Sequence, residues 1–89
     1  MKGIITVTGL DQTGIIAKVS GHLYDNNINI LDISQTIVQR YFNMIMIVDL
    51  AGRETDFNSL SQSLTELGDS LGHVIRLQRE DIFNSMHRI

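Results

Sequence analysis

The side chains of this chain that are able to do chemistry are few and scattered. His22, His73 and His87 share no metal-ligand spacing, and no carboxylate pattern joins any two of them. The absence of cysteine removes thiol nucleophiles, thiolate metal sites and disulfides together. Ser20, Ser34 and the serines between Phe57 and Leu71 have no base at a spacing that would activate a hydroxyl. One stretch is organised differently. Thr8-Gly9-Leu10-Asp11-Gln12-Thr13-Gly14-Ile15 is a polar segment with two glycines, set between an apolar β-branched run and an amphipathic run. Amides at a strand-to-helix turn can receive an anionic group, but the segment has no basic residue and lacks the full glycine spacing of nucleotide loops. Gly9 and Gly14 either let a ligand approach the backbone or serve turn geometry. Asp11 either holds a ligand's amino group or caps the helix that follows. These residues point to a binding module; no catalytic residue, metal site or cofactor is expected.

The elements that must position this stretch follow from hydrophobic periodicity. Ile4-Ile5-Thr6-Val7-Thr8 is β-branched throughout and predicts a first strand, ended by Gly9. Asp11 or Thr13 is expected to cap a helix beginning at Ile15, whose Ile15, Ile16, Val19 and Leu23 fall on one face. Gly21 inside that helix costs about 1 kcal/mol relative to alanine, which predicts close packing against its backbone. Asn26-Asn27 supplies a left-handed stop. In the second strand, Leu31, Ile33, Gln35, Ile37 and Gln39 alternate with Ile30, Asp32, Ser34, Thr36 and Val38. The third, Tyr41 to Leu50, is apolar on both faces from Met44 to Val48, which places it at a sheet centre with both sides covered. No Gly or Pro marks the turn between them. Thr55 or Asp56 is expected to cap a second helix along Phe57, Leu60, Leu64, Leu67 and Leu71, closed by Gly72. Val74 to Arg79 makes a fourth strand, and Ile82, Phe83, Met86 and Ile89 line one side of a short terminal helix.

Strand-helix-strand-strand-helix-strand with right-handed crossovers gives an α+β, ferredoxin-like βαββαβ fold. The expected sheet is four-stranded and antiparallel, ordered four, one, three, two, with two helices on one face plus the short C-terminal helix. With 89 residues, 43% hydrophobic and 19% charged, the chain suits one domain, its core at 3–80 and a helical tail at 81–89. Seven basic against ten acidic side chains give a formal charge of −3, without the basic patch that nucleic acid requires. An anionic membrane surface is an equally poor partner. The apolar run from Met44 to Val48 is too short to span a bilayer, and the N-terminal run is interrupted by Thr6, Thr8 and Gly9, unlike a signal peptide; a cytoplasmic protein is expected. A domain of this size buries only about 60% of its unfolded surface. The second strand is an edge with no Pro, no Lys and one acid, Asp32, so a homodimer through that edge, the open sheet face, or both is expected.

A ferredoxin-like fold supports many functions, and only sites choose among them. Heavy-metal-binding relatives need paired cysteines, RNA-recognition domains need exposed aromatics on central strands and a basic surface, and an acylphosphatase needs an arginine in the first loop; this chain has no cysteine, only Tyr41 and Phe42 near a turn with no basic surface, and no basic residue in that loop. The segment Thr8 to Ile15, together with Asn27-Ile28-Asn29-Ile30 leading into strand two, resembles the ACT domain, a regulatory ligand-binding module of amino-acid metabolism. The likeness covers roughly residues 3–80. The tail from Gln78 to Ile89 looks like that of small standalone bacterial and archaeal ACT proteins, which are similar to a regulator of the glycine cleavage system. The resemblance implies an amino acid or similar small molecule bound by Gly9, Leu10, Asp11, Gln12, Thr13, Gly14 and Ile15 of one subunit and Asn29 of another. The family's loop often has a basic residue and a proline where this chain has Gln12 and Thr13. Carboxylate recognition would then fall to backbone amides and the helix N-terminus. The alternative is a protein-interaction module using the open sheet face and tail, with the loop serving only as a turn.

Overall fold

The computed structural model describes residues 1–10, 13–52 and 54–81. The β-branched first run is extended from Lys2–Leu10 as β1, followed by α1 at Ile15–Asp25, β2 at Asn29–Val38 and β3 at Tyr41–Asp49. A 3-10 turn at Glu54–Asp56 leads into α2 at Phe57–Leu71, and β4 occupies Val74–Arg79. The strands form one sheet in the order β2-β3-β1-β4, all pairs antiparallel, the ferredoxin-like arrangement. The terminal residues Ile82, Phe83, Met86 and Ile89 lie outside the described residues. No described helix is long and apolar enough to cross a membrane.

Register assigns the faces. β1 pairs with β3 from Lys2 opposite Asp49 to Leu10 opposite Tyr41. Ile5 and Val7 therefore share a face with Met46, Met44, Ile75 and Leu77, and all of these are buried beneath the helices with Val19, Leu23, Leu60 and Leu64. On the opposite face Ile4 is buried, but Ile45 is 43% exposed, so β3 is central as expected without being covered along both sides. At β2 the alternation expected from sequence breaks. Ile30 lies opposite Val48 and Asp32 opposite Ile47, leaving Leu31 as a bulge. The extra residue moves Ile30 onto the helix side with Ile33, Gln35 and Ile37, away from Asp32 and Ser34.

Both helices end in left-handed residues that tie off their last carbonyls. Asn27 has φ 57°; its N–H donates to Tyr24 and the N–H of Ile28 donates 2.9 Å to the carbonyl of Leu23. Gly72 has φ 73°, and the N–H of His73 donates 2.9 Å to Gly68. Each is the paired 6→1 and 5→2 pattern that satisfies carbonyls a helix end would otherwise orphan. At the helix starts, the cap position expected for α2 is borne out and that expected for α1 is not. Gly14 stands at the cap of α1 and Asp56 at the cap of α2, and neither makes a side-chain capping bond. Gly21 has nothing within 4 Å of a Cβ placed on it, so the close packing expected there is absent. That role falls instead to Gly68, where a Cβ would lie 2.7 Å from the carbonyl oxygen of His73.

Candidate functional site

The first strand runs past Gly9, which pairs with Phe42, and ends at Leu10, which pairs with Tyr41. Gly9 is thus a strand residue, not the strand's end, and its φ is not positive. Turn geometry does not explain it. A Cβ on Gly9 would come within 2.4 Å of Cδ2 of His73, so its hydrogen side chain makes room for that ring. Gly14 is the residue that turns the chain, with φ 85°, and its carbonyl accepts the first helical bond from the Lys18 N–H at 2.9 Å. Thr13 precedes that position and is exposed; it does not cap the helix, because the cap residue has no side chain. Ile15 is buried and anchors the first turn of α1 in the core. Leu10 is 57% exposed at the head of the loop. Asp11 and Gln12 lie outside the described residues.

Asn29 is not brought to this loop within one chain. It pairs with Asp49, which also faces Lys2, whereas the loop begins where Leu10 meets Tyr41. At about 3.3 Å per residue, the nine steps from Asn29 to Val38 put it roughly 30 Å from the loop's end of the sheet. The β2-β3 hairpin is what shares that end. Val38 pairs with Tyr41, leaving Gln39 and Arg40 as the turn, and Gln39 takes φ 59° in place of the Gly that usually marks such turns. Leu10, Gln39, Arg40 and Tyr41 line a shallow hollow of about 250 Å³. Arg40 has no ion-pair partner among the described residues, so the cation missing from the loop is available from its neighbour.

His73 is the residue at this site that periodicity does not reveal. It is 5% exposed, the one polar side chain buried among the described residues. Its Nε2 lies 2.8 Å from the carbonyl oxygen of Leu10 and its Nδ1 lies 3.0 Å from that of Leu71. The ring therefore joins the base of the loop to the end of α2. Thr8 pairs with Val74, so position 73 continues β4 to a point beside Gly9; a glycine in a β-branched strand next to a histidine is the signal for the contact. His22 has a different role, tying α1 to α2 through a 3.0 Å contact between Nε2 and the Ser63 hydroxyl. Among the described residues, no three His, Cys, Asp or Glu side chains gather as metal ligands.

A model of the ACT domain family matches residues 3–78. A UPF0237 protein of Bifidobacterium longum is 56% identical over 88 residues, spanning 99% of this chain and 98% of that one. Among solved structures, an ACT domain protein from Streptococcus pneumoniae superposes with a TM-score of 0.83 at 41% identity, covering 93% of each chain. A protein described as a glycine cleavage system transcriptional repressor shares the fold, with a TM-score of 0.77 at 22% identity over 88% of this chain and 44% of that one.

Proposed function

Because this chain belongs to the ACT domain family, we propose that it is a noncatalytic regulatory protein that binds a small molecule, an amino acid, at the interface of a homodimer. The observation that carries this reading is the unprotected edge at β2. Ile33 and Ile37 are 41% and 52% exposed on the helix side, and Val38 is 59% exposed on the other. Pairing β2 with its copy would bury both sets. A two-fold axis through the middle of an antiparallel β2 pair also brings Asn29 of the partner subunit beside Val38, at the loop's end of the sheet. The separation of Asn29 from the loop within one chain is then what a shared site requires. Gly14 amides and Arg40 would meet a carboxylate, and Asp11 an ammonium group. Ligand binding that favours one arrangement of the interface would pass to a downstream partner as a change in that interface.

Titration calorimetry against a panel of amino acids, run beside sedimentation equilibrium, tests the reading. Saturable heat from a dimer supports it, and silence across the panel removes the ligand. A second reading is favoured by the open face, where Ile45, Val74 and Tyr41 are 43%, 52% and 59% exposed. There the chain docks another protein and the loop is only a turn. Substituting Asp11 separates the two, since a docking module keeps its partner and a sensor loses its response, whereas a change at Gly9 disturbs the packing of His73 in either case.

A further inference from the structure

His73 faces an acceptor from each ring nitrogen: the carbonyls of Leu10 and Leu71 lie 2.8 and 3.0 Å away. A neutral imidazole carries one N–H, so it donates to one of these oxygens and turns a lone pair toward the other. The imidazolium donates to both. The ring has little room to evade this choice, because it is 5% exposed and packs where a Cβ on Gly9 would lie 2.4 Å from Cδ2.

We propose that His73 is a positioning residue for the β1-α1 loop, and that its hold on Leu10 and on the end of α2 changes as its ring gains or loses a proton. The surroundings supply charge from two sides. Asp69 of α2 and Arg76 of β4 line a hollow of about 270 Å³ with His73, and from β1 Gly9 and the Leu10 carbonyl lie against its ring. With the ring protonated, both bonds hold and the end of β1 is tied to α2. With the ring neutral, one of them gives way to a contact between lone pairs, and Leu10 and α2 are released from each other. The consequence for ligand binding rests on the loop being the ligand site; the clasp itself does not.

The test uses the whole 89-residue chain with no ligand. Long-range proton-nitrogen correlation spectra of the histidine rings are followed from about pH 5 to about pH 8, the range in which histidine changes charge. Alongside them, the backbone amides of Gly9, Leu10, Gly72 and His73 are tracked. The expected result is one shared midpoint for the His73 ring and these amides, lost in His73→Gln, which keeps a donor and cannot titrate. A His73 ring that stays in one neutral tautomer throughout, or loop amides that titrate unchanged in His73→Gln, overturns the proposal. Should the glutamine variant fail to fold, the coincidence of midpoints in the unsubstituted protein decides alone. A silent amino-acid titration would sink the ligand reading while leaving this outcome intact.

Discussion

Replacing Gly9 with alanine isolates the contact on which the base of the loop depends. The new methyl would lie 2.4 Å from Cδ2 and 2.8 Å from Cγ of His73, so the ring has to leave its place. With the ring protonated, two carbonyl hydrogen bonds go with it, at about 1 kcal/mol each, and crowding in a packed site adds roughly 1–3 kcal/mol. Stiffening the unfolded chain returns about 0.5 kcal/mol. The expected net loss is about 3 kcal/mol, a large part of the stability of a small domain. With a urea slope near 1 kcal/mol per molar at this size, the midpoint should fall by about 3 M, measured at one protein concentration for every variant. A double-mutant cycle makes the cause explicit: in a His73→Ala background the same glycine change should cost less than about 0.5 kcal/mol, because the clash is gone. If Gly9→Ala costs the same in both backgrounds, the glycine is needed for some reason other than the histidine, and the argument fails.

Other substitutions follow from the same geometry. Gly21→Ala should stabilise the protein by about 0.5–1 kcal/mol, since its site is open and helical, whereas Gly68→Ala meets the backbone of His73 at 2.7 Å and should lose about 1–3 kcal/mol; thermal melts compare them directly. Asn27→Ala places a Cβ residue without a local hydrogen-bonding side chain at φ 57° and should cost about 1 kcal/mol, while Asn27→Gly should be close to neutral. Lysine at both Ile33 and Ile37 should shift sedimentation toward the monomer with the circular dichroism of the fold retained, and a dimer that persists would remove β2 from the interface.

Element order and strand order were readable from sequence because the periodicities were long and the stops chemically distinct: Asn27 and Gly72 both take the left-handed conformation their types suggest. Simple alternation puts Ile30 on the wrong side, because a bulge at Leu31 changes which side a strand residue faces without changing its hydrophobicity. Gly21 and Gly68 show the same limit from another side. Both interrupt a helix, and only the packing of β4 on α2 distinguishes the glycine that needs to be small from the one that does not. At the site, the sequence motif pointed to Gly9 for a turn it does not make. The actual partner, His73, is 63 positions from the carbonyl it meets, and no local pattern reports a contact at that range.

That distance also orders events as the chain is made. β1 emerges before both of its neighbours, yet it lies between β3 and β4, so its hydrogen-bonding partners arrive in two instalments, β3 and then β4. A contact across 63 residues bears a loop-closure cost that only the docking of the last strand can offset. Until residue 73 has emerged and β4 has docked, β1 keeps one edge unpaired, and the slot beside Gly9 has no ring to fill it. β1 is therefore made before β3 and β4 but finished only when β4 docks, and a nascent chain stalled before His73 is expected to be the species most open to mispairing and to proteases.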